Sequence, residues 1–198
     1  MSLTTLDIKE PGLNTLPPGV ERYVVEGGGL TGIQILPDDE IKIINNEGNQ
    51  LCEISAFNKD GKSDLAILGL KEIKENSEIK KILFKKDETS LQALLQLKKR
   101  NLNIEKSKSS LIFDKETKAG EIIKLKSKDK CYCIFAAPGE KMMVHEQNPS
   151  TELTVIVKRS VIKKDKEFSL IPDPIYDPSN EINIARTTAN SYQVKEGD

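Results

Sequence analysis

The chain has 198 residues, with 30 Lys and Arg against 31 Asp and Glu, and is 37% apolar and 31% charged. That is one typical domain or slightly more, with apolar side chains enough for one core. The balance excludes a dedicated nucleic-acid binder, which needs a basic face, and an acidic disordered tail; no run reaches the ~18 apolar residues of a membrane span.

Residues 1–19 hold Pro11, Gly12, Pro17, Pro18 and Gly19 and read as an extended N-terminal arm. From Glu21 to Phe57 short alternating runs succeed one another: Arg22–Val25, Gly32–Leu36, Glu40–Ile44 and Gln50–Phe57. They are separated by Gly27-Gly28-Gly29, Pro37-Asp38-Asp39 and Asn46-Glu47-Gly48-Asn49. Strands of this length divided by such turns predict an antiparallel meander, with a hairpin at Asn46–Asn49. Leu65–Ile73 is apolar without a clean period, so strand and helix compete there. Ser77–Phe84 predicts a short helix. Thr89–Arg100 predicts a longer one, with Leu91, Ala93, Leu94 and Leu95 on its apolar stripe. Asp87 or Thr89 can cap it, Lys98-Lys99-Arg100 suits its C-terminal dipole, and Asn101 can end it. Strand texture returns at Leu111–Phe113, Glu121–Leu125, Lys130–Ala137 and Leu153–Arg159.

Pro172, Pro174 and Pro178 mark Ile171–Asn180 as an extended linker. The tail Tyr192-Gln193-Val194-Lys195-Glu196-Gly197-Asp198 is similar in pattern to Ile33-Gln34-Ile35-Leu36-Pro37-Asp38-Asp39. The expected organisation is an arm at 1–19, a β-rich domain at 20–165, and a Pro-rich linker at 166–198 that runs into the start of a second repeat near Thr187. The expected fold class is mainly β (α+β): an antiparallel β-sandwich or barrel-like sheet with one or two inserted helices.

Met1–Thr5 has neither the basic nor the apolar region of a signal peptide. Three cysteines do not make a disulfide framework, and Pro149 spoils the glycosylation acceptor at Asn148. The expected location is cytoplasmic. Lys supplies 26 of the 30 basic residues, and Lys, Ile and Asn together supply 60 of 198, as an AT-rich genome would write them. The Lys surplus therefore says little about anionic partners. The four arginines, Arg22, Arg100, Arg159 and Arg186, weigh more, because a planar fork serves bidentate contacts.

Chemistry could sit in three places. Cys131 and Cys133, two apart on a strand, share a face, and a hairpin could return His145 beside them. Two thiolates, an imidazole and a water make a zinc set, with Cys52 as a possible fourth ligand; buried core cysteines are the ordinary alternative. With His145 and Glu146 the same thiols could form a nucleophilic set, although no Gly-x-Ser-x-Gly elbow occurs. Glu26-Gly27-Gly28-Gly29 could form an anion nest or a flexible loop. Around Asn45–Asn58 the polar Gln50, Glu53 and Asn58 interrupt an apolar strand; they line a small-molecule pocket or form a wet face.

The stretch Asp39–Asn58, with Gly48-Asn49-Gln50 and Ala56-Phe57, resembles the first block of the urea carboxylase-associated family. Lys130–Gly139 and Asn148-Pro149 resemble a later block with recurring cysteine and Asn-Pro. The resemblance spans roughly residues 20–160. It implies a mostly antiparallel β fold. Some members are subunits of a carboxyguanidine-hydrolysing deiminase. Others stand in tandem ahead of an aminomethyltransferase like the glycine-cleavage T-protein, whose tetrahydrofolate would be used only in a module outside this chain. Leu91–Lys118 lacks the mid-domain Asp-Thr-x-Gly-x-His-Asp stretch of the enzymatic members. The resemblance thus implies a degenerate domain, non-catalytic or ligand-binding, with Gln50, Glu53, Asn58 and Arg22 toward a small amine-containing molecule. Further domains of the same polypeptide would be its partners, with no nucleic acid and no membrane. A metal-assisted hydrolase of urea- or guanidine-like amides is the enzymatic alternative, with Cys131, Cys133 and His145 on zinc and Glu53 or Glu146 as base. A plain protein-interaction module is the third.

Overall fold

The computed structural model describes residues 16–71, 77–85, 87–139, 150–160 and 182–184. The fold is mainly antiparallel β, as the sequence predicts. Its strands in chain order are β1 (Val20–Val25), β2 (Leu30–Ile35), β3 (Glu40–Asn45), β4 (Cys52–Asn58), β5 (Ser110–Phe113), β6 (Glu121–Lys126), β7 (Cys131–Ala136), β8 (Leu153–Lys158) and β9 (Ile182–Ile184). Between β4 and β5 come a single 3-10 turn at Leu65–Leu68 and the helices α1 (Glu78–Leu83) and α2 (Glu88–Lys99).

The strands form two sheets: sheet A in the order β1-β8-β3-β6, and sheet B in the order β5-β4-β7-β2-β9. No two of β1 to β4 pair with each other, so the predicted meander is not what forms. β1 and β3 both pair with β8, while β2 and β4 both pair with β7. Each of the three turns between β1 and β4 crosses from one sheet to the other, and Asn46–Asn49 is a crossover corner rather than a hairpin.

Burial explains the choice. β3 alternates buried and wetter positions, which suits a sheet with one wet face. β4 is buried at every position but its last, and β7 throughout, which suits a sheet covered on both sides. Of the polar residues read as a pocket lining or a wet face, Glu53 lies within β4, and Ser55 shares its side of the strand. Both are buried: the Ser55 hydroxyl donates to the carbonyl of Lys108 at 2.9 Å, and the Glu53 carboxylate meets the start of α1.

One core fills the space between the sheets, with Val25, Ile33, Ile35, Ile41, Ile43, Ile54, Phe135 and Val155 among its members. A second lies between sheet B and the helices, built from Leu30, Phe57, Ile79, Leu83, Ala93, Leu97 and Ile134. The arrangement is three layers, sheet on sheet on helices. Gly32 on β2 makes room for the second core, since a Cβ there would sit 2.5 Å from the Tyr132 hydroxyl.

Asp87 caps α2, its carboxylate accepting the Ser90 amide at 2.8 Å, and Asn101 leaves the helix at φ 57°. The apolar stripe differs from the predicted one. Ala93 and Leu97 are buried and Leu94 is half-buried, whereas Leu91 and Leu95 are 50% and 59% exposed. The inward face runs Ser90, Ala93, Leu97, one helical step round from the densest Leu cluster. Ile182–Ile184, inside the stretch read as linker, pairs antiparallel with β2 at the edge of sheet B.

Candidate functional site

The Asn45–Gln50 corner is the densest polar cluster among the sequence motifs. Asn45, at the end of β3, accepts the Gly48 amide at 3.0 Å and donates to the Gln50 carbonyl at 2.8 Å. Gly48 has φ +80°, and a Cβ there would lie 2.6 Å from the Ala119 amide, so only glycine closes the corner. The Gln50 side chain donates to the carbonyls of Leu51 at 3.0 Å and Pro138 at 2.8 Å, and accepts the Thr151 amide at 2.8 Å. Both of its N–H groups are thereby used. Its work is to tie the chain after β7 to the chain before β8.

Glu53 points to the helix side of sheet B and is 5% exposed. Its carboxylate accepts the Ser77 hydroxyl and, at 2.6 Å, the Glu78 amide, the first N–H of α1. A carboxylate at a helix start satisfies donors that the helix itself cannot. Asn58 closes the loop after β4, accepting the amides of Asp60 and Lys62 at 3.0 Å each. Arg22 is exposed on the outer face of sheet A. Gln50 thus sits at a corner, Glu53 under a helix, Asn58 in a turn and Arg22 on the opposite sheet.

Cys131 and Cys133 share a face, as their spacing predicts, and that face is the core between the sheets. Their sulfurs are 3.6 Å apart, and the Ser127 hydroxyl lies 3.6 Å from Cys131 Sγ. Contact with Cys133 holds the Cys131 thiol below its ordinary range. The same contact and complete burial push Cys133 well above it. Burial also pushes Cys52 up. Among the described residues no three His, Cys, Asp or Glu side chains come together as a metal set. Two thiols do not complete a zinc site. His145 and Glu146 lie outside the described residues. The Gly27–Gly29 turn spends two of its amides inside the fold, which leaves them unavailable to an anion: Gly28 N–H donates to the Ala137 carbonyl at 2.6 Å and Gly29 N–H to the Glu26 carbonyl at 2.8 Å.

The strongest electrostatic feature centres on one of the four arginines that the composition set apart, although the sequence assigned it no partner. Arg159, directly after β8, has a side chain only 3% exposed. Its guanidinium grips Glu21 of β1 with two donors, at 2.9 and 2.5 Å. A third nitrogen donates to Asp39 at 2.7 Å and to the Gln34 carbonyl at 2.9 Å. Asp39 also accepts the amides of Leu36 and Ser160, at 2.9 and 2.8 Å. Burial works against the charge, but the hydrogen bonds and charges of Glu21 and Asp39 outweigh it and hold the guanidinium above its ordinary range. The available signal was the scarcity of arginine beside lysine. A bidentate carboxylate partner is what a planar fork serves.

No family model matches the chain. The chain is 35% identical over 192 residues to trimethylamine-oxide aldolase of Ruegeria pomeroyi. The match covers 96% of this chain and 24% of that protein, so the chain spans about a quarter of the length of the curated relative it matches. It corresponds to a domain within that larger protein. Among the described residues no helix is long and apolar enough to cross a membrane.

Proposed function

We propose that this chain is a non-catalytic β domain standing ahead of the reacting module of a larger amine-converting protein. In this reading it is a degenerate urea carboxylase-associated domain, and the module is an aminomethyltransferase like the glycine-cleavage T-protein. The observation that carries the reading is the match itself: nearly all of this chain aligns with one quarter of a protein named for its action on trimethylamine oxide. The substrate class of the whole would then be a small methylated amine or its oxide, and tetrahydrofolate would serve only the module outside residues 1–198.

The side chains fit a scaffold role. Gln50, Glu53 and Asn58 spend their hydrogen bonds on a strap, a helix start and a turn. The unit would run from residue 20 to 165, with 166–198 leading into the reacting module. The test is consumption of trimethylamine oxide by the natural polypeptide and by residues 1–198 alone. Only the former is expected to turn over; turnover by residues 1–198 alone would refute the reading.

A second reading, a zinc-assisted hydrolase of urea- or guanidine-like amides, is favoured by the pair of sulfurs at 3.6 Å. Cys131 and Cys133 would hold the metal with His145, and Glu53 or Glu146 would take the proton from water. Zinc analysis of the purified protein decides it: one equivalent, lost in Cys131→Ser, supports it, and zinc well below one equivalent removes it.

A further inference from the structure

The two outer faces of the fold are finished differently. The helices cover sheet B, while the outer face of sheet A carries no helix among the described residues. The side chains on that face are fixed by the register, because every other residue of each strand points into the core.

They form three rows. The first is Val24–Thr154–Ile44–Ile122, in which Thr154 is buried and accepts the Asn46 side-chain amide at 3.0 Å, Val24 and Ile44 are half-buried and Ile122 is 41% exposed. The second is Arg22–Ile156–Lys42–Lys124. The third is Val20–Lys158–Glu40–Lys126.

The third row is neutralised, since Lys158 pairs with Glu40 within it at 3.6 Å and Lys126 with Asp38 of the preceding turn at 2.8 Å. The second is not. Lys42 stands directly opposite Lys124, and among the described residues no carboxylate pairs with Arg22, Lys42 or Lys124. Like charges directly across a strand pair destabilise the sheet. The same surface shows, one row away, that this chain neutralises cross-strand lysines where nothing else does. An unneutralised row placed beside an apolar one is the pattern that a complementary surface would match.

We propose that the outer face of sheet A is the docking face for an acidic protein surface carried by the remainder of the larger polypeptide. Carboxylates meet Arg22, Lys42 and Lys124, and apolar side chains cover the Val24–Ile44–Ile122 row. The proposal rests on the front-domain reading. A second copy is the wrong occupant, because a two-fold contact would bury this face, with its five cations and the single carboxylate of Glu40, against an identical one. Nucleic acid is also the wrong occupant: the face has no aromatic side chain for stacking, and its charged row is bordered by an apolar one. Interfaces with an apolar centre and complementary charges at the rim are the ordinary pattern between proteins.

The experiment uses the natural polypeptide. Its intact mass tests the front-domain reading by itself: a mass of 198 residues overturns both that reading and this proposal. With a longer chain in hand, brief acetylation is followed at Lys42 and Lys124, with exposed Lys59 as the internal standard. Labelling of Lys42 and Lys124 is expected to be slowed about tenfold or more, as for groups reached only by opening. Zero-length carbodiimide cross-linking is expected to join one of them to an Asp or Glu beyond residue 198. Arg22→Gln/Lys42→Gln/Lys124→Gln, all outward-facing, should leave the far-ultraviolet circular dichroism of the folded chain unchanged and make the remaining face lysines Lys126 and Lys158 label faster. Labelling of Lys42 and Lys124 at the rate of Lys59 overturns the proposal. So do cross-links to residues 1–198 of a second copy, or protection that appears only on adding an oligonucleotide.

Discussion

Replacing Arg159 with methionine keeps most of the buried methylene packing and removes the cation shared by Glu21 and Asp39. The side chain is 3% exposed, Asp39 is fully buried and Glu21 is 11% exposed, so solvent does little to relieve the loss. Removing one partner of a buried ion pair costs about 3–5 kcal/mol, because the other charge stays behind. Asp39 keeps two backbone donors, from Leu36 and Ser160, and Glu21 keeps the Tyr23 hydroxyl at 2.6 Å. These retained bonds place the expected loss near the lower bound, about 3 kcal/mol. With a urea slope of about 2 kcal/mol per molar, the midpoint falls by about 1.5 M. The chain has no Trp, so the transition is followed by far-ultraviolet circular dichroism. Glu21→Gln/Asp39→Asn/Arg159→Met buries no net charge and should recover at least half of the loss. An Arg159→Met midpoint within experimental error of the parent would refute the reasoning, as would a triple variant no more stable than the single one.

Other perturbations separate packing from appearance. Leu97→Ala should cost about 2–5 kcal/mol, whereas Leu91→Gln/Leu95→Gln should stay within about 0.5 kcal/mol per site; urea midpoints check both. Glu53→Ala strands the Ser77 hydroxyl and the Glu78 amide and should cost about 1–3 kcal/mol, with faster hydrogen exchange at Glu78. Gln50→Ala releases the Pro138 carbonyl and the Thr151 amide at a similar cost of about 1–3 kcal/mol, read as faster exchange at Thr151. All three thiols are free and buried. At pH 8 an aromatic disulfide reagent should therefore label none of them until the chain unfolds, and prompt labelling of the native protein would contradict their place in the core.

Much of the secondary structure was legible. Short alternating runs between Pro, Gly, Asn and Asp turns mark eight of the strands, and Ser77 and Asp87 announce the two helix starts. The site was less so. Gln50 and Glu53 stand out in the sequence as polar residues in an apolar strand, which is equally the mark of a pocket and of a buried cap. Only the neighbours decide: the Pro138 carbonyl is 88 residues from Gln50, and the Glu78 amide is 25 from Glu53.

What the sequence determined alone is local: where strands begin and end, which side chains share a face, and that Cys131 and Cys133 point the same way. These come from the period of two along a strand and from the backbone demands of turns. What only the tertiary structure decided is pairing. A four-residue turn between two alternating runs serves a hairpin or a crossover equally well. The choice falls to which strands can be covered on both faces, and that depends on helices encoded after them. The same holds for Arg159, whose two carboxylate partners lie 138 and 120 residues away. Burial turns that distant encounter into a joint between the sheets, because a guanidinium taken out of water must find carboxylates wherever the fold has put them.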